Sequence, residues 1–435
     1  MVQESTPSGP NGDSLSRRRF LTRATAASAA LGTGLSLGGA RVFGQSGREF
    51  KVGLIGCGGR GTKASRNAID AAKLVGNKVT IHAVGDLFPD RATKAQEKLE
   101  VDEKRVFVGF DAFRKVLETP CDYVILATPP HFRPEHLEAA VAAGKHVFCE
   151  KPVAVDPPGI RRFRRAGAAA KSKNLTIVAG TQRRHQREYL ESYERISGGA
   201  IGDILAGRCY WNMGGLWSVP PKEGWTAMEW QIRNWLYFTW LSGDHIVEQH
   251  VHQLDAMNWF IGSHPIAARG VGGREVRKGK PEYGNIFDHF STELIYANPN
   301  PANGLPDLRI SSMARQIAGC WREVSEFLIG TEGCSDLRTY IRGKQPWSYE
   351  GETVGPYVQE HADLMASIQA EEEALNEAEN VATSTLTAIL ARTACYTGTE
   401  ITWDEIAKSD ERLGPTEYAF GPAPEVVVAR PGEPM

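Results

Sequence analysis

The chain has 435 residues, with 50 Lys and Arg against 52 Asp and Glu, a formal net charge of −2, and 41% hydrophobic residues. That balance excludes the basic footprint of a nucleic-acid-binding protein or of one held on an anionic membrane, and the apolar fraction supplies cores for two domains of ordinary size. The seven cysteines, odd in number and widely spread, form neither a disulfide framework nor a zinc pattern, which fits folding in a reducing compartment.

Ser16, Arg17, Arg18, Arg19, Phe20 and Leu21 open a stretch rich in Ala, Gly, Ser and Thr that fades near Gln45. This is the pattern of a twin-arginine export leader, and its apolar part, residues 24–39, is too short and weakly hydrophobic for a membrane span. Residues 1–45 are therefore expected to be a removable leader, with an uncleaved anchor as the alternative. The mature chain is expected in the periplasm or at the cell surface, with no integral membrane span. Soluble nicotinamide cofactor is not expected there, so an exported enzyme would recycle its cofactor within each turnover or re-reduce it with a second substrate.

Residues 50–55 read as a short β-branched strand, followed at once by the Gly56-x-Gly58-x-x-Gly61 loop and a helical stretch over 62–72. Strand, turn and helix are the setting a dinucleotide fingerprint needs: Gly56 for the tight turn, Gly58 for close approach of a pyrophosphate, Gly61 for helix–strand packing. Gly59 and Arg60 complete the loop, and phosphate charge would meet the free N–H groups at the helix start. A second strand, 79–86, ends in Asp86, placed to accept hydrogen bonds from the ribose hydroxyls and to repel a 2′-phosphate. NAD is favoured over NADP on that ground, although Arg60 and Arg91 lie close by.

The third strand, 123–127, runs into Thr128 and Pro129 at the carboxyl end of the sheet, where ligands of such folds bind. A helix over 134–143 then leads to an apolar strand that ends in the charged pair Glu150 and Lys151, aimed at the same crevice. Gln182 and Arg183 follow the strand that ends at Gly180 and are candidates for the pocket wall. An aromatic run, Trp211, Trp217, Trp225, Trp230, Trp235, Tyr237, Phe238 and Trp240, comes next. Such a segment presents flat apolar faces to sugar C–H groups, or else forms a packed cap or an oligomer contact.

From 244 to 260 apolar and polar residues alternate with helical spacing, which places Asp244, Glu248, His252 and Asp255 on one face. On that face Glu248 would hold one tautomer of His252, and His252 would accept a proton from a substrate hydroxyl. His250 and His252 project about 200° apart on a helix, so no metal site is expected, and His250 is left to line the pocket from a kinked helix start. Residues 298–307 read as a surface loop, 324–329 as a strand of a second sheet, and 357–395 as two helices separated near Asn380 that pack back on the first domain. The tail after Arg412 reads as irregular, with Trp403 docking its start.

The glycine loop, Ala127-Thr128-Pro129, Glu150-Lys151-Pro152 and the segment from Gly243 to Asp255 together resemble the Gfo/Idh/MocA family. The resemblance covers essentially the whole chain after the leader. It implies α/β architecture: a doubly wound Rossmann NAD-binding domain, 46–180, then an α/β domain, 181–435, with an open, mainly antiparallel sheet that walls the substrate site and often forms the interface of a homodimer or homotetramer. It also implies that Lys151, Glu248 and His252 act on a secondary alcohol of a sugar, sugar derivative or cyclitol, with tentative substrate contacts from Arg183, Trp211, Trp217, Trp235, His250 and Asp255. Pro130 and Arg133 stand where the family commonly has Asn and His, and Glu248 replaces the usual Asp. Two other readings stay open: an NAD-dependent glycosidase working by oxidation, elimination, addition and re-reduction, and a non-catalytic carbohydrate-binding protein of the same fold.

Overall fold

The computed structural model describes residues 47–370 and 372–433. Residues 1–45, where an export leader is expected, lie outside the described residues. The first sheet is parallel and six-stranded, built from β1 (Glu49–Ile55), β2 (Lys78–Asp86), β3 (Val106–Val108), β4 (Tyr123–Leu126), β5 (His146–Cys149) and β6 (Ile177–Ala179) in the order β3-β2-β1-β4-β5-β6. Its central strand β4 is buried along its whole length, as expected of a parallel sheet covered on both faces by helices. Strand order reverses between β1 and β4, and the crevice outside their carboxyl ends is where such sheets bind ligands.

The second sheet has nine strands: β7 (Ile204–Met213), β8 (Ala267–Gly273), β9 (His289–Tyr296), β10 (Leu308–Gln316), β11 (Glu323–Gly330), β12 (Gly333–Ser335), β13 (Tyr340–Gly343), β14 (Trp347–Ser348) and β15 (Ile401–Thr402). The order is β14-β13-β12-β11-β7-β10-β9-β8-β15, with every pair antiparallel except β7 and β10. Along β10 buried residues alternate with more exposed ones, so one face of this sheet packs inward on helices and the other is left outward. The loop expected at 298–307 joins β9 to β10, and Trp403 stacks on His264 at 3.9 Å where the last short helix begins.

Two helical expectations are corrected. The single helix over 244–260 is in fact two, His245–Glu248 and Val251–Ile261. Gly243 and Asp244 both have positive φ (79° and 75°), and the Asp244 carboxylate is drawn away to the Phe287 N–H and the Tyr396 hydroxyl. At the junction the His250 N–H reaches back five residues to the His245 carbonyl, a widened turn that resets the helical phase. Asp244 therefore does not share a face with Glu248.

The break between the two later helices falls at 370–377 rather than near Asn380; the helices are Pro356–Gln369 and Ala378–Thr397. The connecting chain is held at the edge of the first sheet, where Ile177 N–H donates to the Leu375 carbonyl and Glu377 N–H to the Ile177 carbonyl. Pro356–Gln369 packs on the glycine-loop helix Gly59–Leu74, with Asn67 Nδ2 donating to the Tyr357 carbonyl at 3.2 Å. The second domain thus reaches back across the first beside the nucleotide loop. Among the described residues no helix is long and apolar enough to cross a membrane.

Candidate active site

The glycine loop forms a cradle. Gly56 has φ of 98°, and a Cβ there would lie 2.6 Å from the Ala127 carbonyl carbon; a Cβ on Gly61 would lie 1.9 Å from the Gly56 carbonyl oxygen. Both positions therefore need glycine for packing. Gly58 and Gly59 face open space, with no protein atom within 4 Å of a built Cβ. That opening sits at the start of helix Gly59–Leu74, whose first turn has no acidic residue, so a pyrophosphate can approach backbone N–H groups and the positive helix end. The residues present fit a dinucleotide.

Asp86 lines the same cleft, as do Thr128 and Pro129. Its carboxylate accepts from Cys57 N–H at 2.7 Å and from Phe88 N–H at 2.9 Å, so it also fixes the mouth of the glycine loop. Burial raises its pKa above the usual carboxylate value, against the pull of these N–H groups and of Arg91. Arg60 ion-pairs with Glu150 and, at 3.1 Å, with the buried Glu360, which ties the loop to Glu150 and to the helix Pro356–Gln369.

Trp217 and Trp235, expected among substrate contacts, line the nucleotide cleft together with Phe88 and Phe110. They stack edge to face at 6.3 Å on the wall of the cleft that the glycine loop also lines. Trp211 stays with the acid–base residues: its ring lies 5.8 Å from that of His252, at 23° between planes. Its buried indole N–H has no acceptor among the described residues.

Lys151 follows β5 directly, and its Nζ donates to the Glu248 carbonyl and to Glu248 Oε1 at 3.0 Å. Glu248 thus grips Lys151, which corrects the expectation that it orients His252; the phase change at Gln249–His250 separates the two along the chain. His252 is buried on the following helix. Burial pushes its pKa well below the ordinary histidine value, and the positive charges of Lys151, Arg183 and Arg60 push the same way. A neutral imidazole beside a charged lysine is the result.

Arg183 is largely covered and paired with Glu326 at 2.5 Å, which braces this wall from β11. His250 and Asp255 are corrected. His250 is fully buried with Nε2 2.7 Å from the Ser312 hydroxyl on β10, and burial lowers its pKa to about 3. Asp255 takes Arg184 Nε at 2.8 and 3.0 Å and the Ser384 hydroxyl at 2.7 Å, all in the core. Asp255→Ala is expected to destabilise the fold by about 3–5 kcal/mol, because it leaves the Arg184 guanidinium buried without its counter-charge. Urea denaturation measures this, and an unchanged midpoint would return Asp255 to the candidate substrate contacts.

Arg133 is a functional residue that the sequence reading left without a role. It is buried and donates to the Thr128 carbonyl at 3.0 Å and to the Pro152 carbonyl, so it latches the loop after β4 to the turn that carries Lys151. Its position just after Thr128-Pro129, where the family pattern has another residue, was the available signal. Among the described residues no group of His, Cys, Asp or Glu is arranged to hold a metal.

A doubly wound sheet with a glycine cradle at its switch point, joined to an open mixed sheet that carries an acid–base set, defines a two-domain dinucleotide-binding oxidoreductase fold. Residues 50–181 match the GFO_IDH_MocA model, described as the oxidoreductase family with an NAD-binding Rossmann fold. The chain is 30% identical over 220 residues to inositol 2-dehydrogenase 4 of Saccharopolyspora erythraea, a match covering 50% of this chain and 55% of that protein. It therefore spans little more than half the length of the curated relatives it matches. Among solved structures, aldose-aldose oxidoreductase from Caulobacter crescentus, complexed with glycerol, superposes with a TM-score of 0.64 at 16% identity over 82% of this chain and 100% of its own. Levoglucosan dehydrogenase in complex with NADH and levoglucosan gives 0.61 at 19% over 81% and 99%. At these identities the likeness is one of fold.

Proposed function

We propose that this chain is an exported, NAD-dependent oxidoreductase acting on a secondary alcohol of a sugar, sugar derivative or cyclitol. The observation that carries the reading is the Lys151–Glu248 pair beside a neutral His252, tied to the glycine loop through Glu150, the neighbour of Lys151 that pairs with Arg60. A nicotinamide held in that cleft would supply the hydride acceptor. His252, neutral because of its burial, takes the hydroxyl proton. Lys151, held by Glu248, sets a positive charge where the alkoxide develops, and Trp211 offers its indole N–H to a neighbouring hydroxyl. Incubation with a panel of aldoses and inositols, following NADH formation, tests the reading; no turnover on any polyol, by a protein that binds NAD, would overturn the substrate class.

The depressed His252 pKa fixes the sign of the pH dependence. A base whose pKa is lowered stays unprotonated as pH falls through the ordinary value of about 6.5. The acid limb of kcat/KM for alcohol oxidation is therefore expected below pH 6.5, and a limb centred at or above about 7 would remove His252 from the role.

A redox-neutral cycle is a second reading. Trp217 and Trp235 wall the cleft, which favours a cofactor that stays in place, and the resemblance to an aldose-aldose oxidoreductase favours return of the hydride to a second sugar. Glycoside cleavage through transient oxidation would leave the same signature of product without net NADH. The outward face of the second sheet exposes Val271 and Ile329 and suits assembly as a homodimer or homotetramer, which light scattering measures.

A further inference from the structure

One apolar cluster belongs to neither domain's core. Phe88, Met228, Ile232, Phe238, Trp240 and Leu241 are buried together, with Phe110, Phe132, Trp235, Leu413 and Tyr418 packed around them. These residues come from three separate parts of the chain: the loops at the carboxyl ends of β2, β3 and β4, the tryptophan-rich segment, and the irregular tail beyond the last helix. Phe88, Phe110, Phe132, Ile232 and Trp235 also line the nucleotide cleft. The cluster is thus the outer side of the cofactor wall.

The tail runs across it from one domain to the other. It starts on the first domain, where Arg161 donates to the Ser409 carbonyl at 2.7 Å and Leu413 N–H donates to Asp156 Oδ2 at 2.9 Å. Tyr418 shares a 2.7 Å hydrogen bond with His131 and lies 5.5 Å from the ring of Phe132. Phe420 lies 6.2 Å from Phe88 and 5.4 Å from Phe110. Past these rings the tail is held by the second domain: the Gly421 carbonyl accepts from Met228 N–H, the Pro424 carbonyl from Gln231 Nε2 and the Val427 carbonyl from Asn285 Nδ2, each at 3.0 Å. Gly432 N–H finally donates to the Thr397 carbonyl at 2.8 Å.

We propose that residues 413–427 are a strap that retains the dinucleotide, so that cofactor enters and leaves only when Tyr418 and Phe420 unseat. The inference rests on the cofactor reading above and deepens it. The two halves of the apolar wall, Phe88 and Phe110 on one side and Ile232 and Trp235 on the other, come from different domains, and the tail joins them from outside. Opening the cleft separates those halves and must pull the half-buried Tyr418 and Phe420 rings from their aromatic contacts, which makes the strap a kinetic barrier to exchange in each direction. Burial holds His131 neutral, with its pKa lowered to about 3, so its bond to Tyr418 persists at working pH.

The test loads the intact protein with NADH, chases it with excess NAD, and follows the loss of energy transfer from tryptophan to the reduced nicotinamide. The double variant Tyr418→Ala/Phe420→Ala is expected to release NADH about tenfold faster or more, with the on-rate raised as well. Tyr418→Phe, which removes only the hydroxyl, is expected to give a smaller rise in the same direction. Tryptic cleavage at the exposed Arg412 needs no variant: bound NADH is expected to slow it severalfold. Release rates equal to those of the unaltered protein, or cleavage indifferent to NADH, overturn the strap. Failure of the unaltered protein to bind NADH overturns the cofactor reading instead, and is seen before any variant is made.

Discussion

Lys151→Ala lowers kcat for hydride exchange by about 10²–10⁴-fold, the range a positioned acid–base group supplies, while the dissociation constant for NADH changes little. The lysine sits two residues past the end of β5, and its Nζ is held by the Glu248 carboxylate and main-chain carbonyl, so its position is set by the junction between the two domains. Removing it takes away the positive charge beside His252 and leaves Glu248, nearly buried, without its cation. His252 loses one of the charges that hold its pKa down, so the acid limb of the pH profile is expected to move upward in the variant. A merely structural lysine would not move that limb. Lys151→Arg, which keeps charge but cannot give up a proton near neutral pH, separates the two duties: partial recovery means charge stabilisation dominates, and none means proton transfer does. Turnover unchanged in Lys151→Ala would remove the lysine from the chemistry, whereas sugar binding with no turnover in the unaltered protein would place this chain with the carbohydrate-binding reading.

The nucleotide half was legible because its signals are local. A strand, three spaced glycines and a helix start form one continuous piece of chain, and Asp86 follows at the end of the next strand of the same unit; in the structure Asp86 touches the loop through Cys57. Lys151 was legible for the same reason, as a charged residue just past a buried strand. The second half failed where helical phase had to be carried across a break. Two consecutive positive φ values at Gly243 and Asp244, then the widened turn at His250, send Asp244 to Tyr396, His250 to Ser312 and Asp255 to Arg184. No periodicity within the segment encodes those partners, which lie on β10 and on the helices around it. Trp217 and Trp235 were read as substrate contacts from composition alone; that they line the same cleft as the glycine loop depends on the chain path, which no local signal encodes. The tail had no period to read at all; its order comes from side chains meeting aromatic residues some 290 positions away, such as Tyr418 and His131, separated by 287.

Gly58→Val and Gly61→Ala are expected to fail in opposite ways. Gly58 has φ of −65° and ψ of −178°, a conformation open to any residue, and nothing lies within 4 Å of where its Cβ would project. The valine variant should fold with an unchanged melting temperature, because no packed atom has to move. The added methyl groups occupy the space a pyrophosphate needs above the helix start, so NADH binding should fall by about a hundredfold or more, the equivalent of losing roughly 3 kcal/mol of charge-assisted hydrogen bonding to backbone N–H groups. Gly61 is different in kind. Its Cβ would sit 1.9 Å from the Gly56 carbonyl oxygen and 3.1 Å from Leu54, so one added methyl pushes helix Gly59–Leu74 off β1. Overpacking of this kind costs about 1–3 kcal/mol and is felt in the melting temperature before any ligand is added. Calorimetry with and without NADH distinguishes the two: Gly58→Val should lose the ligand-induced rise in melting temperature but keep the unliganded value, whereas Gly61→Ala should lower the unliganded value itself. If Gly58→Val binds NADH as the unaltered protein does, the open face of the cradle is not where the cofactor sits, and the site would have to be sought along the aromatic wall instead.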